Sequence, residues 1–313
     1  MQALWMIASA FLFASMGVCV KFASLHFTSG ELVFYRGVIG IVFMALYARL
    51  NGTRLATRYP AMHAKRSVVG VVSLLAWFYA LAHLPLATAM TLNYMSSVWI
   101  AAFLVGGAML RGQKGEPSQA GPKQMPLVLA ILASFVGVIL LLRPSMGQDQ
   151  ALAGLIGLLS GLGAAFAYLQ VIAISRLGEP ETRTVFYFAV GTAIAGALTM
   201  AVTGTSSWSW TQALWLPPLG ILASLGQLCM TRAYAMSHSV GAGTSPRERH
   251  RGTLMVANLQ YSGIVFAALY SIVLFGDTIA PLGWAGMTLI ALSAVAATVL
   301  RARAAPGAPA QAH

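Results

Sequence analysis

Residues 3–23 read ALWMIASAFLFASMGVCVKFA, from Ala3 to Ala23, with Lys21 the one charge among them. About 20 apolar residues suffice for an α-helix to cross the roughly 30 Å hydrocarbon core of a bilayer. No Lys or Arg precedes the run, and it exceeds the usual length of a signal-peptide core, so the sequence predicts a retained first span. Nine further runs of this kind follow: Leu32 to Leu50, Ser67 to Leu84, Leu86 to Leu110, Pro126 to Leu142, Leu152 to Ile174, Thr184 to Val202, Ala213 to Met230, Thr253 to Phe275 and Leu282 to Leu300. Pro217 and Pro218 make the eighth of the ten runs the least regular. Composition agrees with this reading. Charged residues make up 8% and apolar residues 58% of the 313 positions; so few charges cannot cover a surface facing water, whereas a lipid-facing surface needs none. The expected fold class is an all-α integral membrane protein with ten transmembrane helices. What remains, 304–313, is a short Ala/Pro tail expected to be disordered, and no stretch leaves room for a soluble domain.

The formal net charge of +12 is scattered between the apolar runs and not gathered on one face, which speaks for membrane topology and against nucleic acid as a partner. Of the 19 Lys and Arg, all but Lys21, Arg36 and Arg143 fall on one side when the N-terminus is placed inside. Because Lys and Arg accumulate in short cytoplasmic loops, this asymmetry predicts cytoplasmic N- and C-termini and an even number of spans. The expected partners are the lipid bilayer and a small-molecule substrate; the oligomeric state is open, and a monomer is compatible with the sequence. Cys19 and Cys229 both lie inside apolar runs and read as core packing.

The second half echoes the first. Val33-Phe34-Tyr35 recurs as Val185-Phe186-Tyr187, and Tyr79-Ala80-Leu81-Ala82-His83 as Tyr234-Ala235-Met236-Ser237-His238. Leu92-Asn93-Tyr94 recurs as Leu259-Gln260-Tyr261, and Arg143 as Arg301, giving separations of 152, 155, 167 and 158 residues in order. Each match alone could arise by chance in an apolar chain, but four in one order at nearly one separation point to a repeat. With five spans per copy, the second enters from the opposite side, which predicts two inverted five-helix repeats, 3–142 and 152–301, enclosing a site near the midplane. The jump from 155 to 167 places an insertion of about twelve residues before the ninth span, around Gly243 to Arg251. It reads either as a solvated positive-inside loop or as a contact for anionic lipid.

Ten spans in two five-span copies resemble the drug/metabolite transporter superfamily, specifically its EamA-type ten-helix carriers, over residues 3 to 300. The local matches are Ser29-Gly30-Glu31-Leu32-Val33-Phe34-Tyr35-Arg36, Leu92-Asn93-Tyr94, and Leu259-Gln260-Tyr261-Ser262-Gly263 with Phe275-Gly276-Asp277. The resemblance implies a bacterial inner-membrane carrier that moves small metabolites, often amino acids outward, by alternating access. The basic loop before the ninth span departs from the short connection usual in the family.

Candidate binding residues follow from the cost of polarity inside a membrane. Arg36, about one turn into the second run, either attracts a substrate carboxylate, snorkels to the interface or pairs with Glu31; its repeat counterpart is Phe188. Lys21, nearer a span end, is read as snorkelling. Asn93, Tyr94, Gln260 and Tyr261 offer hydrogen bonds at equivalent positions of both halves, with Tyr168, Gln170 and Gln227 as a second set. Trp77, Tyr79 and Trp99 either wall an aromatic-accepting pocket or anchor at the interface. Each of these has a packing reading beside the functional one. Gly157 and Gly161 are read as small-residue packing of the sixth span.

No Asp or Glu falls in mid-span, so proton antiport through a buried carboxylate lacks its titrating group. The expectation is movement down the substrate gradient, or coupling through His83, His238 or loop carboxylates. Motifs of intramembrane proteases, serine hydrolases and metal-dependent phosphotransferases are missing from the sequence. An enzyme is therefore not expected, nor a catalytic residue, a metal or a cofactor. The alternative cargo is a drug, nucleoside or other neutral metabolite; a channel or membrane-embedded enzyme is a more distant alternative.

Overall fold

The computed structural model describes residues 2–100, 102–103, 125–142, 148–238 and 258–304. Every regular element among them is helical: α1 (Gln2–Ala23), α2 (Ser29–Leu50), α3 (Pro60–His83), α4 (Leu86–Tyr94), α5 (Met125–Leu142), α6 (Gln148–Arg176), α7 (Glu181–Thr203), the single turn α8 (Trp210–Ala213), α9 (Leu216–His238), α10 (Ser262–Phe275) and α11 (Pro281–Ala304). Six helical segments among the described residues are long and apolar enough to cross a membrane: Gln2–Ala23, Ser29–Leu50, Pro60–His83, Gln150–Arg176, Glu181–Thr203 and Trp210–Met236. Val128–Leu141, Ser262–Phe275 and Pro281–Ala296 are shorter apolar helices. The outward faces are greasy. Val38, Val42 and Leu46 on α2 and Val68 and Val72 on α3 stand exposed one turn apart, an arrangement that suits lipid and would be a liability in water. Small polar residues go inward and return their hydroxyls to backbone carbonyls: Thr91 to Ala87, Ser224 to Gly220 and Thr231 to Gln227. This is an all-α membrane protein.

Local chemistry sets the helix ends. Thr28 and Glu31 form a reciprocal capping box at the start of α2, Glu31 Oε2 accepting the Thr28 N–H at 2.7 Å. Pro60 occupies the first turn of α3, where its missing N–H costs nothing, so the third helix starts there and not at Ser67. His63, Lys65 and Arg66, which precede the expected third run, are therefore helical, and Arg66 is buried. Pro217 and Pro218 are harmless for the same reason in the first turn of α9. Two of the expected continuous spans are interrupted. The fourth breaks after Tyr94 and resumes over 96–100, while the ninth turns at Gln260 and Tyr261 before α10 begins. Tightened i→i+3 bonds mark both breaks, from the N–H of Met95 to Leu92 O and from the N–H of Ile264 to Tyr261 O. Expectations for Arg143, for the basic loop around Pro246 to Arg251 and for the tail beyond Ala304 lie outside the described residues.

The most extensive packing pairs α2 with α7, α5 with α11, α3 with α6 and α1 with α9. Smaller contacts join α2 to α9, α3 to α7, α1 to α10, α4 to α6 and α4 to α10. Exchanging α1 with α6, α2 with α7, α3 with α9, α4 with α10 and α5 with α11 turns this set of contacts into itself. At the centre, α2 presents Gly37 and α7 presents Gly196 to the partner backbone. A Cβ on Gly37 would lie 2.7 Å from Ala193 Cα and one on Gly196 2.5 Å from Phe34 Cα, so only glycine permits this approach.

Candidate functional site

The close α2–α7 crossing sets Arg36 against Phe188, with the guanidinium carbon 5.1 Å from the ring centroid. Arg66, in the second turn of α3, lies over the same ring at 3.9 Å. Gly70, one turn further along α3, makes this possible, because a Cβ there would collide with Arg66 Nη1. Arg36 is 5% and Arg66 3% exposed, and Arg36 Nε, Arg66 Nε and Arg66 Nη1 have no hydrogen-bond partner among the described residues. Neither is neutralised by a described carboxylate: the ion pairs found join Glu179 to His63 and to Arg183. Glu31 accepts instead from the Thr28 and Ser206 N–H groups and the Ser206 hydroxyl, the last two at 2.8 Å, so it leaves Arg36 unpaired.

Arg36 and Arg66 both line a central cavity among α1, α2, α3, α4, α6, α7 and α9, with Phe13, Ser73, Trp77, Asn93, Tyr94, Tyr168, Phe188 and Gln227 in its wall. The Trp77 indole N–H and Tyr94 hydroxyl also lack partners, whereas Asn93 Nδ2 donates to Ser160 Oγ at 3.0 Å. Among the described residues the wall thus offers cations, unpartnered donors and aromatic faces, with no carboxylate in its lining. Such a surface favours a guest rich in acceptor oxygens and negative charge.

The broken helices meet beside it. Tyr261 Oη donates to Tyr94 O at 3.0 Å, a carbonyl freed by the break, and the two rings meet edge-on at 6.3 Å. Gln260 Nε2 reaches Ser96 Oγ at 3.4 Å.

Two latches close the ends of the α2–α7 pair. At one end, Glu31 takes up the loop 204–209 through Ser206, and His26 contacts Ser207 O at 2.5 Å. At the other, Arg183 Nε donates to Arg54 O at 2.7 Å, and Arg183 Nη1 and His63 Nε2 hold Glu179 at 3.2 and 3.4 Å. Glu31 and Arg183 stand 152 residues apart, as do Arg54 and Ser206, the residues they reach. Burial pushes the Glu179 carboxyl up, but hydrogen bonds from His63 and Thr57 and the Arg183 charge outweigh it and hold the group below the usual carboxylate range. A second cavity opens beside the first latch, lined by His26, Thr28, Tyr79, His83, Thr199 and Thr203.

With this geometry in place, similarity to known proteins becomes informative. The pseudopaline exporter CntI of Pseudomonas aeruginosa is 27% identical over 292 residues, 93% of each chain. A riboflavin transporter of Rhizobium johnstonii is 27% identical over 236 residues, 74% of each chain, and a transporter of Helicobacter pylori 26% identical over 275. These relatives are transporters, and the chain fits a membrane transporter of small molecules. No protein-family model matches it. A solved crystal structure covers 97% of this chain and 99% of its own, with a TM-score of 0.63 at 17% identity, a likeness of fold alone.

Of the sequence-predicted residues, Arg36, Trp77, Asn93, Tyr94, Tyr168 and Gln227 converge on the central cavity. Tyr261 and Gln260 stand behind Tyr94 and Ser96, outside the lining. Tyr79 lines the second cavity and stacks on His83. Trp99 packs edge-on against Phe135, and Gln170 is half-buried away from the central cavity. Arg36 does not snorkel. Lys21 does so only in part, its Nζ donating to Leu84 O at 2.8 Å while lying over Phe275. Sequence reasoning missed Arg66, since Lys65-Arg66 resembles a positive-inside pair; Pro60 was the signal that the helix starts earlier.

Proposed function

We propose that the chain is an EamA-type carrier of the drug/metabolite transporter superfamily, exporting small carboxylate-bearing metabolites, amino acids or related compounds, across the bacterial inner membrane by alternating access. The observation that carries this reading is the pair of buried arginines, Arg36 and Arg66, in the wall of a central cavity with no carboxylate partner and with open N–H groups at Arg36 Nε, Arg66 Nε and Arg66 Nη1 among the described residues. The proposed architecture is ten spans in two inverted repeats, 3–142 and 152–301, with cytoplasmic termini. Support comes from contacts that survive exchange of the halves and from equivalent residues that meet: Arg36 with Phe188, Tyr94 with Tyr261. Ser134 Oγ and Ser293 Oγ, on the matched helices α5 and α11, likewise lie 2.8 Å apart. Residues on a two-fold axis are the ones a repeat brings together.

Alternating access needs one site and two closures, and the two latches fill the second role. The name of the pseudopaline exporter supports outward movement of a metabolite. A second reading, a neutral heteroaromatic cargo, is favoured by the aromatic lining together with the riboflavin transporters among the relatives. Counterflow in proteoliposomes tests both. Saturable exchange of a carboxylate, lost in Arg36→Gln, is the expected result; exchange of neutral cargo that survives this substitution would favour the second reading, and non-saturating flux would indicate a channel. Epitope tags in the loops 51–59 and 204–209 are expected on opposite sides of the membrane, and tags on one side would overturn the inverted architecture.

A further inference from the structure

We infer that the central cavity takes a substrate with two negative groups, a dicarboxylate, with one group on Arg36 and the other on Arg66. This rests on the carrier reading above and narrows its cargo from carboxylate-bearing metabolites in general, amino acids among them, to those with two negative groups.

The argument starts from charge balance. Arg36 and Arg66 are both nearly sealed from solvent, lie against one ring and lack a carboxylate partner among the described residues. Two like charges in a low-dielectric interior repel each other and have lost their hydration, so a guest that neutralises only one leaves the other in the costly state. A singly charged carboxylate does that. A zwitterion does worse, since its ammonium adds a third positive charge to a wall that holds no acid among the described residues. A doubly negative guest neutralises both.

Arg36 comes from α2 and Arg66 from α3, so the two guanidinium groups reach the ring of Phe188 from different helices and offer one guest two points of attachment. The open N–H groups, Nε on Arg36 and Nε with Nη1 on Arg66, supply donors at both places, and the guanidinium fork matches a carboxylate's two oxygens. The rings of Phe188, Trp77 and Tyr168 face the link between the charged ends. Dicarboxylates share their double charge with inorganic phosphate, so both belong in the test.

The full chain, purified in detergent, is titrated calorimetrically with the straight-chain dicarboxylates from malonate to adipate. Monocarboxylates and ω-amino acids of the same chain lengths, and inorganic phosphate, are titrated alongside. The best dicarboxylate is expected to bind at least about tenfold more tightly than its one-carboxylate and amino-acid counterparts. Arg36→Gln and Arg66→Gln are each expected to remove most of that advantage, while the wild-type comparison stands whether or not the variants fold. Equal affinity for glutarate, valerate and 5-aminovalerate would overturn the two-charge assignment and leave the carrier reading intact. Phosphate binding in place of every dicarboxylate would overturn the dicarboxylate. If no probe binds, the assignment fails, and counterflow of another cargo then shows whether the carrier reading fails with it.

Discussion

Gly70 decides where the second positive charge of the site sits. Without a side chain there, the Arg66 guanidinium folds over Phe188; a methyl group would push aside the flexible end of an arginine and spare the backbone. Gly70→Ala is therefore expected to leave the melting temperature within a few degrees of wild type while lowering substrate affinity about tenfold, roughly one charge-assisted hydrogen bond. Titration and thermal unfolding of one preparation check both halves of the prediction. Glu179 gives a pH dependence. Its carboxyl is held below its ordinary value of 4.5, so the ionised form is the one the fold stabilises. That stabilisation is complete above the ordinary value and is lost as pH falls through the lower folded value. Between about pH 6 and about pH 3, wild type is expected to lose up to about 1 kcal/mol that Glu179→Gln does not lose. Parallel slopes for the two proteins would show that the latch carries no such linkage. Neither role was legible beforehand, because Arg66 and Glu179 look like ordinary loop charges until the helix start at Pro60 and the fold of 177–180 are known.

Among the elements, the α2–α7 crossing and the two broken helices position the cavity. The crossing depends on glycines that face backbone, which cannot yield as a side chain can. Gly37→Leu is expected to destabilise the protein by about 1–3 kcal/mol, read as a lower melting temperature in detergent, and to move Arg36 away from Phe188. Gly263→Ala acts differently, since its methyl would run into the Tyr94 hydroxyl, which projects from the other broken helix. Here the ring must turn, so a several-fold loss of binding with most of the stability kept is expected from the same two measurements. The helices themselves were legible from run length and charge, because a helix in lipid must bury every backbone polar group within itself. Their interruptions at Met95 and at Gln260–Tyr261 were not. No proline or glycine stands at either position, and the breaks are sustained by neighbours: Tyr261 Oη holds the freed Tyr94 carbonyl and Gly161 leaves room beside Leu92 O.

For the molecule as a whole, the two latches are the parts that must take turns. On the proposed orientation, Glu31–Ser206 closes the outer end and the Glu179 cluster the inner end. Glu31→Ala should shift the population outward-open and Glu179→Ala inward-open, by the few kcal/mol that separate such states. A cysteine placed at the cavity residue Ala167, in a protein lacking Cys19 and Cys229, reports this through an impermeant thiol reagent. Labelling should rise several-fold from outside in the first variant and from inside in the second; the same change in both would refute the paired gates. The chain's own order of residues determined that this is a helical membrane protein, since hydropathy and charge are read one span at a time. Tertiary structure alone decided that Arg36 meets no carboxylate among the described residues, that Arg66 joins it and that Phe188 lies against both. Those facts depend on the distance between helices far apart in sequence, and that distance is set by glycines whose partners no single span reveals.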